Sequence, residues 1–193
     1  MGGAGWLAAV TAGFVSMFHY SAEPAAIATP PARWPTQAPL SLDPLRPTLV
    51  LFAHPHCPCT RATLAELDRV MARCVDRLAA TVLFYKDPQL GPRWERTELW
   101  DHAASIPGVR PLADPLGETA RVFGAMTSGL AVLYAPDGHL MFHGGITASR
   151  GHEGDNAGAE AIIDLVASGT GAFRTSEVYG CALVGPEPQE KAR

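Results

Sequence analysis

Two histidines and two cysteines fall together in the stretch His54-Pro-His-Cys-Pro-Cys-Thr60. Cys57 and Cys59 are separated only by Pro58. A cysteine thiolate is both a nucleophile and a soft metal ligand, and a histidine ring either alters the pKa of a nearby thiol or binds a metal itself. The stretch therefore predicts one of two chemistries, thiol–disulfide exchange or metal binding.

The flanking residues predict how these thiols are positioned. Residues 48–52 form an apolar run with the length of a buried strand, and a helical stripe of apolar residues follows, at Leu64, Leu67, Met71, Cys74 and Leu78. Unpaired N–H groups and the dipole at a helix N-terminus stabilise a thiolate. Pro58 fixes one backbone angle there and removes a competing donor. We expect Cys57 and Cys59 to form a reactive pair. The weaker interpretation is that both cysteines only pack in the interior.

The remaining elements predict an α/β sandwich with a mixed sheet. Further strands are expected at 78–85, 109–112, 129–134 and 139–143, the last two joined by a turn at Pro136-Asp137-Gly138. Helices are expected at 94–105, 116–123 and 158–168. The resulting order is βαβ, then α, then a ββ hairpin, then α.

The segment from Phe52 to Arg61 resembles the active-site turn of thioredoxin-like proteins of the cytochrome-c-maturation (TlpA) and peroxiredoxin type. The resemblance covers 48–168 and implies a thioredoxin-like three-layer sandwich, preceded here by an apolar N-terminal helix. The combination of HPHCPCTRATLAEL, FHGGITASRGHEGDN and YGCAL is similar to a group of membrane-anchored thioredoxin-like proteins labelled RedB.

The sequence departs from the pattern of this family in two places. Where the family has Cys-x-x-Cys, Cys57 matches the nucleophile and Thr60 replaces the resolving cysteine, so Cys59 is the local thiol partner. A Cys-x-Cys disulfide closes a small ring and is expected to be a strong oxidant. The cis-proline that shapes substrate docking in the family is replaced by Thr127-Ser128-Gly129. The resemblance thus implies substrate contacts at Pro58, Ser128 and Gly129.

Two further cysteines receive different interpretations. Cys181, in Tyr179-Gly-Cys-Ala182, is a second candidate resolving thiol if the C-terminal tail folds back over the turn. The alternative for Cys181 is that it fills an apolar groove. Cys74 lies on the apolar stripe of the first helix and is predicted to pack in the core.

Metal binding is the alternative function. His54 and His56, with the two cysteines, offer soft ligands suited to Cu(I) or zinc, and His143 is a further candidate from the predicted hairpin. The spacing matches no recognised zinc pattern. We prefer the interpretation in which His54 and His56 only tune the thiol pKa. Exchange on protein thiols then needs no cofactor, whereas the alternative needs copper.

A peroxidase ranks third. Thr60 and Arg61 could position a peroxide against a thiolate, but the order Pro-x-x-x-Thr-x-x-Cys is absent. The polar, glycine-rich segment 144–156 is interpreted as a rim of the site, through Arg150, His152 and Glu153. Asp155 or Asn156 is alternatively an N-cap for the last helix.

Composition and the termini predict the organisation of the chain. Its 193 residues, 47% hydrophobic and 18% charged, suit one globular domain with tails, and a net charge of -4 argues against nucleic-acid binding. Residues 1–22 are predicted to be a membrane anchor or a signal segment, and in the second case 26–28 is the cleavage site. Residues 23–47 are predicted to be a proline-rich spacer, 48–170 the domain and 171–193 a tail. Either reading of 1–22 places the domain on the extracytoplasmic (periplasmic) side, and the anchor attaches it to a membrane.

Overall fold

A computed structural model describes residues 2–25, 29–169 and 171–183. The first helix is α1 (Gly2–Ala22), and the domain then begins with β1 (Thr48–Ala53), α2 (Pro58–Arg73) and β2 (Ala79–Lys86). A short 3₁₀ helix (Pro88–Leu90) leads to α3 (Glu98–Ser105), β3 (Val109–Pro115) and α4 (Glu118–Val122). The chain continues through β4 (Ala131–Tyr134), β5 (Leu140–Gly144), α5 (Ala157–Ser168) and β6 (Arg174–Thr175).

The strands form one mixed sheet in the order β3-β2-β1-β4-β5-β6. The β1–β2 and β2–β3 pairs are parallel, whereas β4 is antiparallel to both β1 and β5. This arrangement confirms the predicted mixed α/β sheet. The parallel pairs explain why β1 and β2 read as continuous apolar runs, because helices or loops cover both faces of such strands.

Each face of the sheet has its own apolar core. Leu49 and Leu51 of β1 point to one side, where α2, α3 and α5 pack. Val50 and Phe52 point to the other side, against Phe123 and the buried end of the C-terminal tail. Because successive side chains of a strand alternate between faces, β1 contributes to both cores and lies between two covering layers.

The proline-rich segment differs from the spacer predicted for 23–47. Its described part packs on the domain, where the Trp34 ring contacts Phe123 and Tyr134, each with centroids 5.3 Å apart. The Trp34 N–H donates to the Gly138 carbonyl at 2.7 Å, and the Tyr134 hydroxyl donates to the Pro31 carbonyl at 2.8 Å. Aromatic burial and these hydrogen bonds hold the segment over one core, although its proline content predicts an extended chain.

The N-terminal segment forms the helix α1, whose large apolar side chains are exposed. Within the ranges described above, no helix combines the length and the apolar character that crossing a membrane requires. The membrane-spanning anchor predicted for 1–22 is therefore not confirmed. The predicted cleavage site at 26–28 lies outside the described residues, as do residue 170 and residues 184–193 of the predicted tail.

Candidate active site

Cys57 lies at the junction between β1 and α2. It is the N-cap residue of α2, with extended backbone angles, and Pro58 occupies the first helical turn. The helix runs on for 16 residues, and the N–H groups of Cys59 and Thr60 in its first turn act on the Cys57 thiol together with the helix dipole. Cys57 is only 2% exposed. The structure thus places the predicted nucleophile where a thiolate is stabilised, but buries it.

The C-terminal tail brings Cys181 against Cys57. The two Sγ atoms lie 3.0 Å apart, about 1 Å beyond the length of a disulfide bond. Each of the four cysteines is described, and none forms a disulfide. Residues separated by 124 positions in the sequence therefore form a thiol pair that needs little movement to become a disulfide.

The electrostatics of this pair are asymmetric. Burial acts to raise the pKa of Cys57, but hydrogen bonds from the Cys181 thiol and from the backbone N–H groups of Cys181, Cys59 and Thr60 outweigh it, and the pKa is lowered. The pKa of Cys181 is raised to about 12 by burial and by its proximity to Cys57. Of the two thiols, Cys57 therefore ionises more readily, and Cys181 is the one that donates to it.

Cys59 lies beside the same pair and is partly exposed. Burial and the neighbouring Cys57 raise the pKa of Cys59, although Arg150 and the Gly151 backbone act in the opposite direction. Three thiols therefore share one site, with a single favoured thiolate at Cys57. The sequence predicts Cys59 as the local partner and Cys181 as a second candidate, and the structure places Cys181 in direct contact with Cys57.

Backbone pairing positions Cys181. The Ser128 N–H donates to the Cys181 carbonyl at 2.9 Å, and the Leu183 N–H donates to the Met126 carbonyl at 2.8 Å. Thr127 and Ala182 face each other in this antiparallel bridge. The tail thus adds a short strand along 126–128, the segment that replaces the cis-proline loop. No peptide bond among the described residues is cis.

Thr60 and Ser128 form a buried link beneath the turn. The Ser128 hydroxyl accepts from the His54 N–H at 2.9 Å and lies 3.2 Å from the Thr60 hydroxyl. The Thr60 hydroxyl donates to the His54 carbonyl at 3.1 Å. Gly129 has a φ of +95°, and its N–H donates to the Phe52 carbonyl at 2.7 Å. These contacts fix the turn next to the nucleophile.

The two histidines of the turn pack on aromatic rings. The His56 ring lies 4.6 Å from the Trp94 ring, and the His54 ring stacks 6.0 Å from Tyr85. Burial, and then the nearby His56, lower the pKa of His54. The His54 Nδ1 accepts from the His56 N–H at 3.2 Å, so the neutral ring carries its proton on Nε2. The lowered pKa disfavours the cationic form of His54, and tuning of the thiols by His54 and His56 stays a prediction.

The other predicted residues lie further from the sulfur chemistry. Arg61 lines a cavity with Cys57 but forms an exposed ion pair with Glu98. His143, on β5, packs against Phe173 with centroids 5.3 Å apart and lines a different groove. Throughout 2–25, 29–169 and 171–183, no three His, Cys, Asp or Glu side chains are grouped so that they could hold a metal ion. His143, the distant ligand of the copper alternative, thus lines a groove other than the cavity that Cys57 lines.

Arg150 is a site residue whose role the sequence did not predict. Its guanidinium donates to the Gly180 carbonyl in the tail and to the Tyr20 carbonyl at the end of α1. The same charge acts to lower the pKa of both Cys59 and Cys181. The sequence predicts Arg150 only as part of the rim formed by 144–156. Its partners are far apart in sequence, so pattern alone could not identify them.

Comparisons with known proteins show similarity only in structure. No protein-family model and no curated protein matches the chain. An uncharacterised conserved protein from Geobacillus kaustophilus has a TM-score of 0.61 at 18% identity, covering 86% of this chain and 94% of its own. A hypothetical protein from Sinorhizobium meliloti has a TM-score of 0.60 at 20% identity, covering 87% of this chain and 99% of its own.

A thioredoxin-like protein solved in its oxidised form is also similar, with a TM-score of 0.49 at 13% identity, covering 74% of this chain and 98% of its own. The sheet itself decides the fold class, since β1-α2-β2 is a parallel unit and the β4–β5 hairpin and α5 complete it. The fold is thioredoxin-like. The cysteine turn occupies the N-terminus of its first domain helix, as the resemblance implied.

Proposed function

We propose that this protein carries out thiol–disulfide exchange on protein thiols, with Cys57 as the nucleophile and Cys181 as the resolving thiol. The observation that carries the proposal is the contact between the two Sγ atoms, 3.0 Å apart at the N-terminus of α2. The lowered pKa of Cys57 supports it, because thiolates attack disulfides and thiols do not. The thioredoxin-like fold is consistent with this chemistry.

The exchange proceeds in two displacements. The Cys57 thiolate attacks one sulfur of a client disulfide, forms a Cys57–client disulfide and releases the other client sulfur as a thiolate, which takes up a proton. Cys181 then loses its proton and attacks the Cys57 sulfur, which releases the second client thiolate. The client gains two electrons, and Cys57 and Cys181 become a disulfide. The reverse sequence oxidises a client dithiol, and no cofactor enters either direction.

Cysteine substitutions test the two roles. Reduced protein is mixed with insulin as a disulfide-bonded probe, and conjugates are counted on non-reducing gels. We expect Cys57→Ser to form no conjugate, and Cys181→Ser to accumulate conjugate by about tenfold or more because resolution is lost. Cys74→Ser is the control and should behave as the unmodified protein does, since Cys74 is buried in the core.

Two outcomes would contradict this assignment. Conjugates that persist in Cys57→Ser would remove Cys57 as the nucleophile. Accumulation in Cys59→Ser with none in Cys181→Ser would transfer the resolving role to Cys59, which also lies beside Cys57.

We further propose that the domain acts on the extracytoplasmic side, where disulfides persist. Membrane attachment through residues 1–22 remains a prediction, supported by the exposed apolar side chains of α1, among them Trp6, Phe14, Met17 and Phe18. Protease accessibility of the full chain in intact and permeabilised cells tests the location. Protection from external protease after the outer envelope is opened would contradict it.

A further inference from the structure

The C-terminal tail is held at the site by apolar packing and hydrogen bonds in addition to the contact between the two sulfur atoms. Val178 is fully buried and Leu183 is 3% exposed, both in the apolar cluster that includes Phe123. The Ala25 N–H donates to the Val178 carbonyl at 2.8 Å, and Arg150 donates to the Gly180 carbonyl. Together with the backbone pairing to 126–128, these contacts give the tail a fixed register in which Cys181 faces Cys57.

Gly180 makes this register possible. A Cβ atom at this position would lie 1.8 Å from the Ser128 carbonyl oxygen, a backbone atom. Real Cβ atoms do not approach backbone oxygens so closely. Any residue other than glycine directly before Cys181 would therefore push the tail away from Ser128.

The tail occupies the space that an attacked client sulfur requires. A client sulfur must come within bonding distance of the Cys57 Sγ, and the Cys181 Sγ already lies 3.0 Å from it. The Ser128 N–H and the Met126 carbonyl, which an extended client segment would use as pairing partners, are bound to the tail. With the tail in place, Cys57 is 2% exposed.

We propose that residues 178–183 gate the site as a built-in competitor of the client. The tail must leave 126–128 before a client reaches Cys57, and its return carries Cys181 to the mixed disulfide for resolution. The client class follows from the same contacts: an extended protein segment that pairs with 126–128 and has glycine directly before its cysteine. This proposal rests on the proposed function and adds the regulation of its site.

The electron balance of the gated cycle is that of the proposed exchange. When the tail leaves, the Cys57 thiolate attacks the client disulfide, and one client thiolate departs and is protonated. When the tail returns, the S–S bond between Cys57 and the client breaks as the Cys57–Cys181 bond forms. The client disulfide is the oxidant. Cys181 gives up one proton when it attacks, and the two client thiolates take up that proton and one from solvent.

The variant Gly180→Ala tests the gate on the full reduced chain. Its Cβ displaces the tail, so iodoacetamide should reach Cys57 faster. Loss of the Cys181 hydrogen bond also raises the pKa of Cys57, so the comparison uses the plateau rate at high pH, where Cys57 is ionised in every variant. We expect a rise of about tenfold or more, measured for each cysteine by mass spectrometry.

Two controls separate gating from unfolding. Cys74 is fully buried in the core and reports global opening, so its alkylation rate should stay unchanged in Gly180→Ala. Gly13→Ala is the matched substitution, because nothing lies within 4 Å of a Cβ at this position. A Cys57 rate that equals that of Gly13→Ala would overturn the gate, and so would a parallel rise at Cys74.

A second variant disrupts the apolar packing that holds the tail on the domain. Leu183→Asp places a charge in the buried position and should accelerate Cys57 alkylation as Gly180→Ala does. Leu45→Asp is its control, since Leu45 is 85% exposed. If neither tail variant accelerates Cys57, the gate is wrong even where insulin conjugates still form. If both variants accelerate alkylation but Cys181→Ser forms no conjugate with insulin, the gate stands and the proposed exchange fails.

Peptide disulfides test the client class. Symmetric disulfides of Tyr-Gly-Cys-Ala-Leu and Tyr-Ala-Cys-Ala-Leu are mixed with Cys181→Ser combined with Leu183→Asp, so that neither the tail anchor nor resolution interferes. We expect conjugation to Cys57 to be about tenfold faster with the glycine peptide, because alanine meets the Ser128 carbonyl. Equal rates would overturn the glycine requirement and the shared register.

Discussion

At the residue scale, the reactivity of Cys57 depends on a contact that sequence spacing does not contain. Position at the helix N-terminus and the N–H groups of Cys59 and Thr60 favour the thiolate, while burial opposes it. The side-chain hydrogen bond from Cys181 is the largest of the contributions that lower the pKa. The Cys181 thiol therefore both activates Cys57 and, in the proposed exchange, resolves it.

The variant Cys181→Ala should shift the pH profile of Cys57 alkylation upward. The lowered pKa keeps Cys57 ionised to lower pH, so reactivity in the parent protein is retained as the pH falls below the ordinary thiol pKa. Cys181→Ala removes the largest of the contributions that lower the pKa, so the pKa rises and reactivity is lost at a higher pH. Rates of alkylation at Cys57 over pH 6 to 10, roughly the range of thiol pKa values, measure the midpoint.

Cys74→Ala is the control for this profile and should leave the midpoint of Cys57 unchanged. An unchanged midpoint in Cys181→Ala would mean that the helix terminus alone sets the pKa. The plateau rate is read separately, because removing Cys181 also uncovers Cys57.

At the element scale, Ser128 joins the turn, α2 and the segment before β4. Its hydroxyl accepts from the His54 N–H and contacts the Thr60 hydroxyl, and Ser128 is 2% exposed. Ser128→Ala should lower the free energy of unfolding by about 1–3 kcal/mol, because the His54 N–H loses its partner in a buried place. Urea unfolding of the reduced protein measures the change.

Ser105→Ala supplies the comparison for Ser128→Ala. The Ser105 hydroxyl donates to the His102 carbonyl on the exposed side of α3, so its loss should cost less than about 0.5 kcal/mol. If the two variants are equally stable, the buried link does not hold the turn.

The elements with strong local patterns were predictable from sequence, and those that depend on distant partners were not. The apolar run 48–52 and the stripe on the following helix correspond to β1 and α2, within a few residues at each end. By contrast, β6 has two exposed residues and no apolar pattern, and it exists by pairing with β5. The helix predicted at 94–105 begins only at Glu98, because Trp94 packs on the histidine rings instead.

The candidate site divides in the same way. Cys57 and its helix terminus follow from local spacing, since strand, turn and helix are consecutive in the sequence. The contact with Cys181 requires antiparallel pairing between residues more than 50 positions apart. From the sequence, Cys181 is therefore a candidate only if the C-terminal tail folds back over the turn. The packing of the His54 ring on Tyr85 and of the His56 ring on Trp94 also involves distant residues, which local spacing does not reveal.

At the scale of the whole molecule, Arg150 connects both ends of the chain to the active site. Its backbone N–H and Nε donate to the Ser21 and Tyr20 carbonyls, which the last turn of α1 leaves without helical partners. Its Nη2 lies 3.4 Å from the Glu23 carbonyl, and its Nη1 donates to Gly180 in the tail. One planar guanidinium therefore makes contacts that a lysine ammonium could not reproduce together.

Arg150→Ala should loosen the N-terminal segment and the tail together. We expect amide hydrogen exchange to accelerate by about tenfold or more at both Ala25, which donates to Val178, and Leu183, which donates to Met126. Exchange in β1 should stay unchanged, because its hydrogen bonds lie within the sheet. Arg121→Ala is the matched control, since the Arg121 guanidinium contacts only the nearby Leu116 carbonyl in the hydrogen bonds described. Acceleration at one of the two amides alone would show that the ends of the chain are held independently, and the tail would then open without the release of α1.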